Sequence, residues 1–527
     1  MISATTQRLL DFLSRAESYP HRPDQVTRVQ THASWVFIAP PYVYKIKRPV
    51  NLGFLDFSTL ELRHEDCRHE VELNRRLSED VYLGVECIRD GEGGLHFGGD
   101  GEAVEWVVKM RQMDPRYFLP QLMQSGDVGA REMDRIVEKL QRFYAAQPPL
   151  PHAQVGGACE QLRQNTEDNF TSAGQFVGQS LSRQALDAIA EYTRGFFKNH
   201  RRLLESRIQE GWIRDCHGDL HLDHIHLAPE AVRIYDCIEF NTGFRCIDVA
   251  CDIAFLAMDL DFNGRPDLAR YIVERFALLL DDHGIRVLMN FYKCYRACVR
   301  GKVESLHACA DAVPESERQA SLQLARRYFQ LALQYAVAGS RPCVFVFMGK
   351  VASGKSALAA ALGEQTGWTV HSSDRLRKTL AGAPLHHRGS AEERAALYAP
   401  EMTQKTYRLL FEKAQGTLHE GHSVILDATF SKREQRSELL QLMKEEKCEV
   451  SWIEAHASEP VVRDRLKERD ACAEVVSDAR LEDYKRLSAG YEAPDELPPE
   501  HKFCIQTDGE VCQALGVLLG RLVLGWQ

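Results

Sequence analysis

A glycine-rich stretch at residues 349–356 is the part of the sequence best suited to binding phosphate. It reads GKVASGKS and fits the pattern G-x-x-x-x-G-K-[ST] without a mismatch. In such a stretch the glycines let successive backbone N–H groups face phosphate oxygens, the lysine supplies positive charge at the β- and γ-phosphates, and the final hydroxyl can bind Mg²⁺. The sequence therefore predicts a site for ATP and Mg²⁺ formed by Gly349, Ser353, Gly354, Lys355 and Ser356, with Ser356 as a metal ligand.

Two aspartates further along the chain are suited to phosphoryl transfer. Asp427 ends the apolar run at residues 423–427, where it can hold the Mg²⁺ shell, although an ordinary aspartate at a strand end gives the same pattern. Asp374 follows a second predicted strand at residues 368–371. Ligands of open α/β sheets bind in the crevice outside the carboxyl ends of the strands, so we expect Asp374 to face that crevice. There it can accept the proton of an attacking hydroxyl. The alternative is that Asp374 caps the next helix.

Two arginines near residue 467 are spaced to act together. Arg465 and Arg469 lie at positions i and i+4 of a predicted helix, so both point from one helix face. Paired guanidinium groups can close over a phosphoryl group during its transfer. A solvated basic face is the alternative interpretation of the same spacing.

A second set of candidate residues lies in the first half of the chain. Residues 216–225 read CHGDLHLDHI and residues 234–240 read IYDCIEF. Asp219 in the first segment and Asp236 in the second suit a kinase, in which one aspartate orients the acceptor hydroxyl and the other holds Mg²⁺. Upstream, Lys45 on a predicted strand can pair with phosphates, and Glu70 on the following helix can pair with Lys45. Either residue alone is a common surface residue, so the ordered set carries the prediction.

The elements that must position these residues divide the chain at about residue 341. The apolar, β-rich run at residues 343–348 precedes the glycine-rich turn and a helix, which is typical of the first strand of a parallel α/β domain. Before the division we expect strands at residues 35–38, 42–47 and 105–110, and a helix at about 60–77. Residues 130–205 and 248–338 are mostly helical in pattern. The sequence thus predicts two domains, 1–340 with an α+β fold and 341–527 with an α/β fold.

Composition excludes several classes of protein. The 527 residues have an ordinary apolar content of 44%, which favours globular domains over disorder. Lys and Arg number 65 and Asp and Glu 75, so the net charge of −10 argues against a general polyanion or membrane coat, and contact with nucleic acid would be local. The 15 cysteines show no CxxC pair or zinc spacing, and no secretory or membrane segment is evident. We therefore expect a cytoplasmic protein without a membrane partner.

Residues 343 to about 510 resemble the P-loop kinase group that includes polynucleotide 5′-hydroxyl kinases, zeta toxins and chloramphenicol phosphotransferase. The resemblance rests on the motifs GKVASGKS, SSDRLRK, SVILDATF and RDRLKER. It implies that Asp374 is the catalytic base and that Arg377, three residues on, holds a phosphate of the acceptor. It also implies that Arg465 and Arg469 are the arginines of the lid.

Residues 30 to about 310 resemble the aminoglycoside phosphotransferase and choline kinase branch of the two-lobed, protein-kinase-like fold. In that family HGDLH is the catalytic loop, which implies that Asp219 is the base and Asp236 a metal ligand. Lys45 and Glu70 then match the phosphate-pairing lysine and its partner. Asp248 and Asp252 match a stretch of that family after the loop, which implies a role in supporting the structure.

One residue departs from the pattern of that family. The family has asparagine as a Mg²⁺ ligand five residues after the catalytic aspartate, and this sequence has His224 there, beside Asp223. Because a neutral imidazole prefers softer metals than Mg²⁺, the metal site is weakened, reshaped around His224 or lost. The N-terminal half is then either a kinase or a pseudokinase.

Together the two motif sets predict an ATP-dependent phosphotransferase with two kinase-like modules. The acceptor is a small molecule, a nucleotide sugar or a nucleic-acid 5′-hydroxyl, the last through the C-terminal domain. An alternative is an active P-loop kinase with a non-catalytic N-terminal half that recognises a ligand or regulates its partner domain. A third hypothesis is an ATP-driven switch, against which Asp374 and the lid arginines argue.

Overall fold

The computed structural model of the chain describes residues 3–31, 33–51, 53, 55–151, 154, 156–310, 313–387, 389–471, 476–477 and 480–525. These residues form two compact units. The first unit is Met1–Gln161 with Arg202–Met289, and the second is Leu162–Arg201 with Asn290–Gln527. The division of the chain into domains at residue 341 stays a prediction.

The helices and strands are numbered here in chain order. The strands are β1 (Thr27–Gln30), β2 (Ser34–Ala39), β3 (Tyr42–Lys47), β4 (Tyr82–Gly91), β5 (Gly94–Phe97), β6 (Glu102–Arg111), β7 (Ile213–Asp215), β8 (Ile225–Leu227), β9 (Val232–Ile234), β10 (Cys246–Asp248), β11 (Cys343–Met348), β12 (Thr369–Ser372), β13 (Val424–Asp427), β14 (Glu449–His456) and β15 (Lys502–Gln506). The helices are α1 (Ala4–Leu13), α2 (Leu60–Ser78), α3 (Leu119–Ser125), α4 (Ala130–Ala146), α5 (Ala158–Ala173), α6 (Arg183–Asn199), α7 (Arg201–Gln209), α8 (Thr242–Arg245), α9 (Val249–Phe262), α10 (Pro266–Leu279), α11 (Ile285–Ala308), α12 (Glu315–Ala338), α13 (Lys355–Thr366), α14 (Ser373–Leu380), α15 (Ala391–Leu397), α16 (Pro400–His419), α17 (Arg433–Glu445), α18 (Glu459–Ala471), α19 (Tyr484–Ala489) and α20 (Val511–Gly525).

The first unit is built around an antiparallel sheet with the strand order β1-β2-β3-β6-β4-β5. Side chains alternate across a strand, so Tyr44 and Ile46 of β3 face an apolar core that includes Trp35. Lys45 lies on the opposite face of β3, where α2 brings Glu70 to the sheet. The predicted strands β2, β3 and β6 and the predicted helix α2 are confirmed.

Two short antiparallel strand pairs lie next to the segments that carry Asp219 and Asp236. β8 pairs with β9 and β7 pairs with β10, both antiparallel. The segment between β7 and β8 carries Asp219, and the residues after β9 carry Asp236. Helix α9 follows, and its residues from Val249 to Leu260 are all buried, in agreement with a sequence whose only charged residues over that stretch are Asp252 and Asp259. Strands followed by helices give the α+β arrangement that the sequence predicts.

The second unit contains a parallel sheet with the strand order β12-β13-β11-β14-β15. β11 is central and every residue of it is buried, which explains its uninterrupted apolar sequence. On one face, Val344 and Val346 pack with Phe411 and Trp452. On the other face, Phe345 stacks on Trp368 with ring centroids 4.7 Å apart. The predicted parallel α/β fold is confirmed.

Among the described residues, no helix combines the length and the apolar character needed to cross a membrane.

Candidate functional site

The turn between β11 and α13 has the backbone shape of a phosphate-binding loop. Gly349 has φ of 137° and Gly354 has φ of 86°, which are values that favour glycine. A Cβ atom on Gly349 would lie 2.6 Å from the carbonyl oxygen of Ala455, so a side chain there would collide with backbone. The two glycines of the motif are therefore required by the local geometry.

Four of the predicted residues lie together at the carboxyl edge of the sheet. Ser356 Oγ donates a hydrogen bond to Asp427 Oδ1 at 3.0 Å. Burial raises the pKa of Asp427, and the charge of Lys355 opposes that rise. Burial lowers the pKa of Lys355, while Asp427 and Asp374 act in the opposite direction. The lysine, the hydroxyl and the two carboxylates thus form one electrostatic group.

This group fits a phosphate with a hard metal ion. A hydroxyl and a carboxylate 3.0 Å apart are oxygen ligands of the kind that Mg²⁺ prefers. Ser353 Oγ is buried in the loop and has no hydrogen-bond partner among the described residues. Buried polar groups are usually satisfied, so an unpaired hydroxyl at this position is consistent with a ligand that completes the loop.

Asp374 lies in the first turn of α14, and Ser372 holds the N-cap position. Arg377 Nη1 donates to Asp374 Oδ1 at 2.8 Å, and the guanidinium group lies over the ring of Tyr398 at 4.5 Å. The side chain of Arg377 is nine-tenths buried, and its Nε has no partner among the described residues. The structure therefore brings Asp374 and Arg377 together, with the carboxylate held by the guanidinium group.

Arg465 braces the phosphate-binding loop. Its Nη1 lies 3.4 Å from the carbonyl oxygen of Ala352, and its Nη2 donates to the carbonyl oxygen of Thr507. Thr507 Oγ1 in turn donates to the carbonyl oxygen of Ser353 at 2.5 Å. Sequence reasoning missed Thr507, although a polar residue directly after a parallel strand was a usable signal.

Arg465 and Arg469 of α18 both line one cavity, as their spacing predicts. The cavity has a volume of about 300 Å³ and opens beside the first turn of α13. Its lining includes Gly354, Leu358, Arg465, Arg469, Thr507 and Val511. A lining that combines apolar side chains with two arginines, and also includes Glu468, is suited to a nucleotide, which has a flat base and a charged phosphate chain.

In the first unit, the predicted lysine, glutamate and aspartate are in direct contact. Lys45 Nζ lies 2.9 Å from Glu70 Oε1 and 2.7 Å from Asp236 Oδ1. Burial opposes the charge of Lys45, but Asp236 and Glu70 outweigh it and raise the pKa of the lysine. Burial likewise acts against the charge of Asp236, and Lys45 and His224 hold the pKa of that carboxyl low. The three groups are therefore charged together at neutral pH.

A second lysine, which the sequence analysis missed, lies beside this group. Lys47 Nζ contacts Glu70 Oε2 at 2.6 Å, Asp66 Oδ2 at 2.7 Å and Glu239 Oε1. Each oxygen of Glu70 thus has its own lysine. Burial raises the pKa of Glu239 to about 8, although Lys47 opposes this.

The carboxylate of Asp252 holds the loop that carries Asp219. Asp252 accepts hydrogen bonds from the backbone N–H groups of His217 at 3.0 Å and Gly218 at 2.9 Å, and from the hydroxyl of Tyr144 at 2.9 Å. Asp248 pairs with the buried Arg207 at 2.6 Å. Through these contacts Asp248 and Asp252 both stabilise the structure, which is the role that the resemblance implies for them.

His224 lies between Asp219, the predicted base, and Asp236, the predicted metal ligand. Its Nδ1 is 2.9 Å from the carbonyl oxygen of Asp219, and its Nε2 is 3.6 Å from Asp236 Oδ2. Burial lowers the pKa of His224 to about 4, and His221 adds to this, so the imidazole is neutral at pH 7. Ligand atoms of Asp219, His221 and His224 all lie within 4.8 Å of one another. A neutral imidazole with carboxylates suits a transition-metal ion such as Mn²⁺ better than Mg²⁺.

A protein-family model supports the assignment of the C-terminal part. The AAA_33 model, described as an AAA domain, matches residues 344–494. The match begins in β11 and includes the phosphate-binding loop, β13 and α18. The predicted P-loop domain is thereby confirmed.

Solved structures similar to parts of the chain include three phosphotransferases. A gluconokinase from Sinorhizobium meliloti 1021 is 18% identical, with 35% of this chain and 93% of that chain covered and a TM-score of 0.26. The Mycobacterium tuberculosis APS kinase CysC, in complex with AMPPNP and APS, is 17% identical, with 34% and 98% covered and a TM-score of 0.26. The GDP complex of aminoglycoside 2′-phosphotransferase-IIIa is 13% identical, with 61% and 98% covered and a TM-score of 0.36. At such low TM-scores, the fold of each unit rests on its own strand order.

Two relatives match most of the chain. The Mycobacterium tuberculosis protein Rv2004c and the Mycobacterium bovis protein Mb2027c, both described as uncharacterized proteins, are each 30% identical over 461 residues. The match covers 85% of this chain and 88% of each relative. The similarity therefore extends well beyond the phosphate-binding loop, and the chain belongs to the protein family of Rv2004c.

Proposed function

We propose that this protein is an ATP-dependent phosphotransferase whose C-terminal half, residues 341–527, transfers the γ-phosphoryl group of ATP to a hydroxyl acceptor. The observation that supports this most strongly is the hydrogen bond of 3.0 Å between Ser356 and Asp427. The charges of Asp427 and Asp374 both act to raise the pKa of the neighbouring Lys355. This grouping combines a phosphate-binding loop, a metal site and a base at one edge of the sheet.

Each residue of the group has a proposed role in binding. The backbone N–H groups of the loop from Gly349 to Ser356 hold the phosphates of ATP, and Lys355 neutralises their charge. Ser356 and Asp427 hold Mg²⁺, which neutralises charge on the β- and γ-phosphates when it is bound. Ser353 Oγ, which lacks a partner among the described residues, donates to a phosphate oxygen.

The acceptor binds on the side of Asp374. The carboxylate accepts the proton of the acceptor hydroxyl, and Arg377 fixes the orientation of that carboxylate through the contact at 2.8 Å. The remaining donors of Arg377, among them the buried Nε, are directed to an anionic group of the acceptor. Arg465 and Arg469 stabilise the charge that develops during the transfer.

The acceptor is a small metabolite, a nucleotide sugar or a nucleic-acid 5′-hydroxyl. Among these, an acceptor with its own phosphate suits Arg377, because a guanidinium group binds phosphate oxygens in pairs. We place the activity in the cytoplasm, because the fourteen cysteines among the described residues are all free thiols.

The test is transfer of labelled phosphate from ATP by the full chain to these three classes of acceptor. In a background of Asp236→Ala, which removes turnover by the N-terminal half, Asp374→Asn should leave ATP binding nearly unchanged. It should slow transfer by roughly 10²- to 10⁴-fold, which is the range for loss of a positioned general base.

The matched control is Asp464→Asn. Asp464 is an exposed aspartate on α18 whose ion-pair contact is Lys467 at 3.3 Å, so its replacement should change neither quantity. A fall of ATP affinity in parallel with the rate in Asp374→Asn would assign a structural role to Asp374 and contradict the proposal.

A second activity is favoured by the contacts of Lys45. Because Lys45 already lies 2.9 Å from Glu70 and 2.7 Å from Asp236, we propose that the N-terminal half binds ATP with a divalent ion and acts as a second kinase. Asp219 is its base, and Asp236 with His224 holds the metal. The competing hypothesis, a recognition module without turnover, rests on His224.

A further inference from the structure

Three side chains at the end of β14 and in β15 form a group that the phosphotransferase chemistry does not use. Glu454 and His456 are two residues apart on β14, so they share one face of the sheet. Cys504 is paired with Glu454 in the parallel register of β14 and β15. The strand register therefore places a thiol, an imidazole and a carboxylate side by side.

The distances within this group match those of a tetrahedral metal centre. His456 Nε2 lies 3.3 Å from Glu454 Oε2, and Cys504 Sγ lies 3.9 Å from the same oxygen. Zinc with ordinary bond lengths would hold nitrogen and oxygen ligands about 3.3 Å apart and sulfur and oxygen ligands about 3.5 Å apart. The three ligand atoms all lie within 4.8 Å of one another. A small shift of the thiol would complete the geometry.

The surroundings hold the ligands in place and leave the group accessible. Tyr491 donates its hydroxyl to Glu454 Oε1 at 2.8 Å, which leaves Oε2 directed at the other two ligands. Arg521 Nη1 donates to the backbone carbonyl of Cys504 at 2.6 Å, and Thr507 N donates to that of His456 at 2.8 Å. The side chain of Glu454 is 8% exposed and that of His456 is 45% exposed, so an ion can enter from solvent.

We propose that Glu454, His456 and Cys504 bind a borderline divalent metal ion of the Zn²⁺ class. The ligands are one thiolate, one neutral imidazole and one carboxylate, and the fourth position is open to water. This donor set selects against Mg²⁺ and Ca²⁺, which prefer oxygen ligands. Binding replaces the thiol proton of Cys504, which is released to solvent. The proposal is independent of kinase activity in either half.

The metal would connect β15, an edge strand, to its single neighbour β14. Thr507 directly follows β15, and its hydroxyl donates to the carbonyl oxygen of Ser353 in the phosphate-binding loop. An ion that fixes the position of β15 therefore also holds the residue that braces this loop. The site is a structural clip beside the nucleotide site.

The test uses Co²⁺ as a spectroscopic substitute for Zn²⁺ in the full chain. Only a thiolate ligand gives a sulfur-to-cobalt charge-transfer band, so the carboxylate–histidine group at Asp219 cannot produce this signal. We expect a band that saturates at one equivalent and is displaced by Zn²⁺. The band should disappear in Cys504→Ser, and Zn²⁺ affinity should fall at least tenfold in His456→Ala.

The control is Cys512→Ser, because Cys512 is another exposed thiol of the same unit and should leave the band unchanged. Tyr491→Phe should weaken the affinity for the metal by about 10-fold, the lower end of the loss when a partner of a ligand is removed. The proposal is overturned if no band appears, or if the band persists in Cys504→Ser.

Discussion

Lys47 is a fully buried ammonium group that contacts three acidic side chains. Its side chain is 1% exposed, and its partners are Asp66, Glu70 and Glu239. The sequence predicted the role of Lys45 from its motif but gave no reason to bury the lysine two residues later, since lysines are mostly exposed. Only the strand register shows that both lysines share the face opposite the apolar core.

The charge balance of this cluster gives a pH prediction for Glu239→Gln. Burial raises the pKa of Glu239 from 4.5 to about 8, so between these values the folded protein keeps a proton that the unfolded chain has released. The free energy of unfolding must then fall as the pH rises from 5 to 8, by at most about 1.4 kcal/mol per pH unit. The variant removes this titration, and its thermal midpoint should depend less on pH in that window.

The comparison is made with Glu86→Gln. Glu86 is a partly exposed glutamate paired with Lys109 at 2.9 Å, and its replacement should leave the slope unchanged. Equal slopes in wild type and Glu239→Gln would mean that Glu239 is ionised throughout the window.

Contacts between two recognised motifs were predictable, while contacts with segments that carry no motif were not. The pairs Ser356–Asp427 and Lys45–Glu70 follow from motif spacing and strand order. The contact of Arg465 with the phosphate-binding loop did not, because its partner Thr507 lies after a strand with no motif of its own. Arg465 both contacts the phosphate-binding loop and lines the nucleotide cavity, and its spacing from Arg469 in the sequence cannot separate these two roles.

At the scale of elements, the strands that carry the motifs were correctly predicted, and others were missed. β11 is an uninterrupted apolar run, and residues 44–47 of β3 alternate between apolar and charged side chains. β4 contains Gly84 and has shifts of register against β6, so its alternation is broken. β5 has four half-buried residues and no clear pattern. Strands at the edge of a sheet or with bulges lack the periodicity on which such predictions depend.

The segment after β15 gives a prediction for Thr507→Val, which keeps the shape of the side chain and removes the hydroxyl. The carbonyl oxygen of Ser353 then loses a donor at 2.5 Å. A buried acceptor without its partner costs about 1–3 kcal/mol, so both the thermal stability and the affinity for ATP should fall, the latter several-fold. Thermal unfolding and ATP titration of the full chain measure the two effects.

Thr379→Val is the control, since the hydroxyl of Thr379 is exposed and donates to the carbonyl of Arg375 within α14. If Thr507→Val lowers stability but leaves ATP affinity unchanged, Thr507 stabilises the fold and does not shape the nucleotide site.

At the scale of the whole molecule, the sequence showed that helices fill residues 130–205 and 248–338 but not which sheet they accompany. In the second unit, Ser182 before α6 donates to Gln365 Oε1 at 2.5 Å, and Gln334 of α12 donates to the carbonyl of Thr366 at 2.6 Å. An amphipathic pattern identifies the face of a helix that is buried but does not identify its partner. The grouping of these helices with the parallel sheet therefore required the structure.

The presence of two candidate nucleotide sites gives a prediction about stoichiometry. We expect the full chain to bind two ATP molecules when a divalent ion is present. Lys355→Ala should weaken one site by about 10- to 100-fold, the loss for a charged hydrogen bond, and Asp236→Ala should remove the other. Lys350→Ala is the control, since Lys350 is an exposed lysine of the same loop.

His224→Asn refines this measurement. An amide oxygen suits Mg²⁺ and an imidazole suits softer ions, so the variant should bind Mg·ATP at least as well as wild type, and Mn²⁺ should favour the wild type. Calorimetric titration with each metal measures the affinity of the wild type and of the variant for the metal–ATP complex. A single ATP per chain, unaffected by Asp236→Ala, would reject the second kinase and leave the recognition module.

The central position of β11 has a consequence for how the protein is made. This strand of six buried apolar residues pairs with β13 at residues 424–427 and with β14 at residues 449–454, both of which leave the ribosome later. Until then the strand has no hydrogen-bonding neighbour within its sheet, and short apolar β-segments in that state associate with one another. The strand that leads into the phosphate-binding loop is therefore also a segment that must be protected from aggregation in a nascent or truncated chain.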